Sequence, residues 1–419
     1  MIEIKPAPSI DAVVEVPGSK SYTHRILIAS ALSDGECLIH NRLKSEDTEH
    51  TLKALQQLGA AAEENDFGLK ILGTGGRLKG ESEIFLGNSG TSMRLMTSVA
   101  ALAEGKTVLT GTDRMKERPI ADLLNGLIQI GVNARSVNGN GCPPVAVTGG
   151  SLQGGRIALR CGLSSQFLSG LLLIGPYLRE GLEIEVVQGP VSKPYIDLTL
   201  EVMQRLGVPV ERSGYERFSV PGSRIYRAGR YTVETDASNA GYFWGAAAIA
   251  GGTATVRHID LATKQGDIRL LKCFQRMGCR VAGSGSGVAV TGGPLSGIEV
   301  DMADIPDMVP TLAVVAAFAE GRTIIRNVAH LRAKESDRLA AVATELAKMA
   351  VSVTELEDGL IVQGGSPKGA RIDTYDDHRI AMSFAMAGLR VPGVVIEDER
   401  CVEKSFPDFW EVFEGLYAP

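Results

Sequence analysis

The sequence predicts an α/β fold made of six copies of one βαβαββ unit, grouped as two domains of three units each. Three observations carry that reading. A block of helix, Leu-Gly-like stop, strand, turn, strand and GG recurs as LKALQQLGA…LKILGTGG, LNGLIQIGV…VAVTGG, LEVMQRLGV…FSVPGS, LKCFQRMGC…VAVTGG and ELAKMAVSV…LIVQGG. Its markers Gly59, Gly131, Gly207, Gly278 and Ala350 fall 72, 76, 71 and 72 residues apart. A second marker, the glycine between an Ala-rich helix and a strand, recurs at Gly35, Gly105, Gly181, Gly252, Gly321 and Gly393, with spacings of 70, 76, 71, 69 and 72. A fixed period of this size is the mark of a repeat architecture.

Each element of the unit follows from its residue pattern. The unit's first helix is Ala-rich and apolar, as in HRILIASAL or YFWGAAAIA, behind a polar cap of Ser, Thr, Asn or Asp. Glycine then ends it with a left-handed cap, and a β-branched alternation follows, as in KTVLTG, LEIEVVQ, TATVRH and RTIIRN. A polar loop leads to the second helix, whose apolar residues sit at helical spacing, as in LLNGLIQI. The closing strands flank a tight turn. One such unit cannot bury a core. Three copies around a shared axis would enclose their Ala-rich helices.

Composition excludes several classes of function. In 419 residues, 44% are hydrophobic and 22% charged, as in a globular protein with a sizeable core, and the length fits two or three domains. The 49 glycines, well above the roughly 7% of average usage, are spread evenly and read as turns. A net charge of −6 gives no basic field for nucleic acid or an anionic membrane. Six cysteines show no CxxC pair and no zinc spacing, and the histidines make no HExxH, so reduced thiols and no metal are expected. The longest apolar runs, such as Leu312–Ala319, are too short to span a bilayer, and the N-terminus opens without an apolar leader. A cytoplasmic location is expected.

Polar chemistry recurs at two places in the unit. The loop before the second helix carries a lysine in every copy: Lys44, Lys116, Lys193, Lys264, Lys334 and Lys404. The N-termini of the six Ala-rich helices carry more than capping requires, namely Lys20 with Arg25, Arg94, Gln166 and Arg379. Helix N-termini present free N–H groups and a positive dipole end, and GNSGT lets backbone approach a ligand closely. Together these point to a small polyanionic substrate. Among carboxylates, Asp307 reads equally as a helix cap or a base. Glu335 and Arg338 fit a surface i,i+3 pair worth about 0.5 kcal/mol. Asp376 and Asp377 read as caps.

The motifs PGSKSYTHR, LGNSGTSMRL, KERPI, SSQF, VSKPY, IPDMVPT, RAKESDRL, YDDHRIAM and KSFPDF together resemble the 5-enolpyruvylshikimate-3-phosphate synthase family, in order and spacing over essentially the whole chain. The resemblance implies the enolpyruvyl transferase fold, a two-domain inverse α/β barrel of six βαβαββ repeats. It implies one domain of 1–18 plus 235–419, a second of 19–234, and an active site in the interdomain cleft. The implied reaction moves the enolpyruvyl group of phosphoenolpyruvate to the 5-hydroxyl of shikimate 3-phosphate, with release of phosphate and without a cofactor. By the same resemblance, Lys20, Arg118, Arg338, Arg379 and Lys404 hold phosphoenolpyruvate beside the backbone of Gly90. Ser21, Arg25, Ser164, Ser165, Gln166, Ser192 and Lys334 hold shikimate 3-phosphate, with Tyr195 close by. Asn88 and His330 also belong to the implied substrate site. Asp307 is the implied base for the hydroxyl, and Glu335 the implied proton donor, assisted by Lys20. Both substrates carry a phosphate and a carboxylate, which gives so many cations a purpose. The resemblance further implies a monomer inhibited by glyphosate.

The chain departs from the family pattern at two places. His330 stands where many relatives have Asn, and Leu95 where many have Pro; SSQF, in place of a Ser-Ala-Gln variant, points to the commoner branch. Two alternatives make distinguishable expectations. The sibling transferase acting on UDP-N-acetylglucosamine usually has a Cys in the loop that here reads TGTDRMKERPI. A phosphate- or RNA-end-binding module calls for basic charge and aromatic platforms, and aromatics are only 5%.

Overall fold

The computed structural model describes residues 1–7, 9–80, 82–150 and 152–417. Its helices are α1 (Lys20–Leu32), α2 (Glu46–Gln57), α3 (Gly90–Ala100), α4 (Ala121–Gln129), α5 (Gln166–Ile174), α6 (Pro194–Arg205), α7 (Ala237–Ala250), α8 (Leu270–Met277), α9 (Val309–Ala316), α10 (Arg338–Lys348), α11 (His378–Gly388) and α12 (Phe409–Glu414). The chain separates into two compact units, one of Met1–Pro17 with Glu234–Pro419 and one of Gly18–Val233.

The odd-numbered helices are the six Ala-rich ones, and they form the two cores. In the 18–233 unit, α1, α3 and α5 pack on one another; in the other unit α7, α9 and α11 do so. Every residue of α9 and α11 is buried, as are Tyr22–Leu32 of α1. A helix apolar on all sides has no solvent face and must be enclosed. The even-numbered helices lie outside with one apolar stripe. In α8, Leu270, Leu271, Cys273, Phe274 and Met277 are buried, while Lys272, Gln275 and Arg276 face water.

Each repeat contributes a small mixed sheet. In the second repeat, Ser82–Phe85 runs parallel to Ala103–Thr110, which pairs antiparallel with Val145–Gly149, itself antiparallel to Asn133–Ser136. The same order recurs in the third and fifth repeats. In two repeats the first strand comes from far along the chain. Arg230–Thr232 completes the sheet of Glu36–His40, and Ile10–Val14 completes that of Gly252–Arg257. The sixth repeat differs in its second half. Arg371–Ile372 and Val394–Ile396 pair as expected, but Ile2–Ile4 takes the antiparallel place. A 3-10 turn at Glu399–Lys404 and α12 stand where the closing hairpin would be.

The markers Gly59, Gly131, Gly207 and Gly278 all have left-handed φ, +105°, +88°, +87° and +114°, just past the ends of α2, α4, α6 and α8. That conformation turns the chain from the helix into its hairpin, and glycine adopts it without a Cβ penalty. Ala350 holds the same conformation after α10, at φ +61°, so the turn persists without glycine.

Candidate active site

In the 18–233 unit, polar side chains gather at the N-termini of the buried helices. Lys20, the first residue of α1, donates from Nζ to Asp47 in the first turn of α2 at 3.0 Å. Arg118 is buried and donates from one terminal nitrogen to both the carbonyl and the side-chain oxygen of Asn88, at 2.9 and 3.1 Å. Gly90 opens α3 directly beneath that guanidinium. A Cβ on Gly90 would lie 2.7 Å from Arg118 Cζ, so no other residue fits there without moving the arginine.

Gln166 opens α5 behind Ser164 and Ser165, and its amide is held at both ends. Arg94 donates to its Oε1 at 2.8 Å, and its Nε2 donates to Thr91 at 2.8 Å. Ser164 accepts from the Gln166 backbone N–H at 3.2 Å. Ser192 has a left-handed φ of +54°, uncommon for a residue with a side chain and frequent where function demands a particular orientation. Arg25 lies deeper. Its guanidinium donates to Thr199 at 2.7 Å, to the Ser21 carbonyl at 2.8 Å, to the Tyr195 carbonyl at 3.0 Å and to Ser169 at 3.3 Å. Burial pulls its pKa down to about 10. Arg25 thereby ties α1 to α5 and α6 and fixes the backbone at Ser21 and Tyr195.

In the other unit, Arg338 organises a buried charge network. It donates to Asp307 at 2.9 Å, to Glu335 at 2.8 Å, and to both oxygens of Asp377 at 2.8 and 3.2 Å. Burial works against its charge, but Asp377, Glu335 and Asp307 together raise its pKa beyond the usual arginine value. Asp307 also accepts from Arg379 at 3.0 Å and lies 3.5 Å from Lys334 Nζ. Burial pushes the Asp307 carboxyl up, and Arg379, Lys334 and Arg338 outweigh it, holding the group ionised well below the ordinary carboxylate range. Arg379 is steadied from behind by the Tyr242 hydroxyl, which accepts from it at 3.3 Å. His330 is buried beside this group; burial, reinforced by Lys334 and opposed by Asp307, lowers its pKa to about 4, so its ring is neutral. Lys404 ends the 3-10 turn at Glu399–Lys404 and is buried.

Two local readings change. Asp307 is not a cap: it sits in a 3-10 turn, Pro306–Met308, ahead of α9, whose N-cap position makes no side-chain bond. The Glu335–Arg338 pair is not at the surface but buried. Asp377 does cap α11, and in addition binds Arg338. Asp47, Asp377 and Tyr242 were not singled out as site residues. For Asp47 the available signal is its place at a helix start; for Tyr242, inside the apolar run of α7, the sequence offers none. The six loop lysines are also unequal. Lys334 lies 3.5 Å from Asp307 in the second cluster and Lys404 is buried, whereas Lys44 and Lys116 pair with carboxylates near the surface at 3.0 and 2.9 Å. Among the described residues, no group of three or more His, Cys, Asp or Glu is disposed to hold a metal, and no helix is long and apolar enough to cross a membrane.

Residues 4–413 match the family of EPSP synthase (3-phosphoshikimate 1-carboxyvinyltransferase). The chain belongs to the EPSP synthase family. Among curated relatives, the 3-phosphoshikimate 1-carboxyvinyltransferase of Syntrophobacter fumaroxidans is 44% identical, with 99% of each chain covered. The chloroplastic enzyme of Arabidopsis thaliana is 41% identical, covering 99% of this chain and 84% of its own. Among solved structures, EPSP synthase from Acinetobacter baumannii superposes with a TM-score of 0.80 at 29% identity, covering 99% of this chain and 97% of that one. The two-domain α/β fold of the EPSP synthase family is therefore the fold of this chain.

Proposed function

We propose that the two clusters act on one pair of substrates, and that the side chains named above are their working parts. The reaction is that of the family: the enolpyruvyl group of phosphoenolpyruvate passes to the 5-hydroxyl of shikimate 3-phosphate, giving 5-enolpyruvylshikimate 3-phosphate and phosphate. One observation carries the assignment. A single guanidinium, Arg338, bonds Asp307 at 2.9 Å and Glu335 at 2.8 Å, so two carboxylates flank one cation suited to a phosphate or carboxylate.

In this reading Arg118, Arg338, Arg379, Lys404 and Lys20 hold phosphoenolpyruvate, with Gly90 giving backbone access. Ser21, Ser164, Ser165, Gln166, Ser192, Tyr195 and Lys334 hold shikimate 3-phosphate. Arg25 contributes by fixing Ser21 and Tyr195, and Asn88 by aiming Arg118. His330, being neutral, offers hydrogen bonds and no charge. Glu335, with Lys20, gives a proton to the methylene carbon of phosphoenolpyruvate, and C2 becomes electrophilic. The 5-hydroxyl oxygen bonds to C2 and its proton passes to Asp307. The tetrahedral intermediate then loses phosphate from C2 and returns a proton from the methyl carbon to Glu335, which restores the double bond. Fixed cations facing the phosphate and carboxylate stabilise the charge that moves in both steps. The same reading makes the protein a cytoplasmic monomer inhibited by glyphosate at the phosphoenolpyruvate site.

Arg118→Ala tests the division of labour. Losing a charge-assisted contact costs ~2–5 kcal/mol, so the KM for phosphoenolpyruvate should rise far more than that for shikimate 3-phosphate. Gly90→Ala should shift the same constant in the same direction, because the new methyl displaces the Arg118 guanidinium. Equal rises in both KM values would mean that Arg118 serves the other substrate.

A further inference from the structure

A buried polar chain in the 18–233 unit lies behind Lys20 and Gly90 and touches no group that the reaction uses directly. His24 is one helical turn beyond Lys20 in α1, and is fully buried. Its Nδ1 lies 2.8 Å from the Thr51 hydroxyl, one turn beyond Asp47 in α2. Thr51 is 2.8 Å from the Ser92 hydroxyl in the first turn of α3. Ser92 in turn meets the Asp47 carbonyl at 2.9 Å and the α3 cap Ser89 at 2.7 Å. Thr51, Ser89 and Ser92 are all 0% exposed, so water does not compete for these bonds.

The direction of every proton in this chain follows from its end. The Asp47 carbonyl can only accept, so the single Ser92 proton goes there. Ser92 must then accept from Thr51, and Thr51, its proton used, must accept from His24. His24 is therefore the neutral tautomer with hydrogen on Nδ1, and its Nε2 is a bare acceptor with no hydrogen-bond partner among the described residues. Burial lowers its pKa to about 3; Asp47 opposes the shift, and Lys20, Arg25 and His50 add to it.

We infer that His24, acting through Thr51 and Ser92, is a positioning residue that holds the Lys20 end of α1, the Asp47 end of α2 and the Gly90 turn of α3 in register. The chain joins three helices within their first two turns, and the starts of two of them carry the proposed phosphoenolpyruvate contacts. The inference rests on that reading of Lys20 and Gly90. An apolar residue would fill the core at position 24 without leaving a ring nitrogen unpartnered; the imidazole supplies the donor that starts the chain.

The test compares His24→Leu with His24→Asn, because the Asn amide places a donor where Nδ1 stands. With one buried hydrogen bond lost, the Leu variant should raise the KM for phosphoenolpyruvate about tenfold. The KM for shikimate 3-phosphate should stay within about twofold, and Asn should restore most of the loss. Equal behaviour of the two variants, or equal rises in both constants, overturns the inference. Nitrogen-15 NMR of the unaltered enzyme gives a readout independent of variant folding. Between about pH 5 and 8 His24 should show a protonated Nδ1 and an unprotonated Nε2, and the opposite tautomer or an imidazolium overturns the relay. Lys20→Met, measured alongside, separates the two readings. An unchanged phosphoenolpyruvate KM there removes the substrate assignment and with it the functional half of the inference, while the NMR result decides the relay itself.

Discussion

Arg338→Met is expected to cost about 3–5 kcal/mol of stability and to remove measurable turnover. The side chain is 1% exposed and its partners Asp307, Glu335 and Asp377 are 17%, 9% and 0% exposed, so its loss leaves three enclosed carboxylates facing one another. Breaking a buried ion pair is far costlier than losing a surface one, because the remaining charge keeps its desolvation penalty. Arg338→Lys separates folding from chemistry. Lysine keeps the charge but offers one compact ammonium in place of a planar fork, and it cannot reach three carboxylates at once. That variant should fold with a lower midpoint in thermal denaturation and still lose ~100-fold or more in kcat/KM for phosphoenolpyruvate. A Met variant as stable as the parent would show that the carboxylates do not depend on this cation.

Asp307→Asn is expected to lower kcat ~100-fold or more while the affinity for shikimate 3-phosphate changes only a few fold. The amide keeps the size and one acceptor for Arg338 or Arg379, and loses the ability to take a proton. The electrostatics add a pH signature. In the free enzyme Arg379, Lys334 and Arg338 keep Asp307 ionised well below the ordinary range, which also makes it a weak base. Substrate phosphate and carboxylate groups engaging those cations weaken their pull, so the Asp307 pKa should rise in the complex. The acid limb of kcat, which reports the complex, should therefore lie at higher pH than that of kcat/KM, which reports the free enzyme. Coincident limbs would mean that the cations stay on Asp307 throughout.

Much of the architecture could be read in the residues because it is local. A polar cap followed by an apolar run marks α1, α3, α7 and α11, the apolar run alone marks α5 and α9, and a left-handed residue past the outer helix marks each hairpin turn. What required the structure is long-range. Nothing near Arg230–Thr232 says that it completes a sheet begun at Glu36, and nothing in the sixth repeat says that Ile2–Ile4 replaces its hairpin. The candidate site divides in the same way. The helix-start cations stand out in their motifs, but Lys334, beside Asp307, and the buried Lys404 read in sequence like Lys44 and Lys116, since the difference lies in the environment of each loop. Glu335 and Arg338 look like a solvated pair in sequence because Asp377, which fixes Arg338 from below, is 39 residues away. The chain behind His24 has no sequence signature, since it joins the N-terminal halves of three helices through single hydroxyls.

The central claim, coupled enolpyruvyl transfer, is tested most directly by following inorganic phosphate from phosphoenolpyruvate with and without shikimate 3-phosphate. The account predicts no release from phosphoenolpyruvate alone and, on adding shikimate 3-phosphate, one phosphate for each molecule of 5-enolpyruvylshikimate 3-phosphate formed. Release without shikimate 3-phosphate, or release supported by UDP-N-acetylglucosamine in its place, would contradict it.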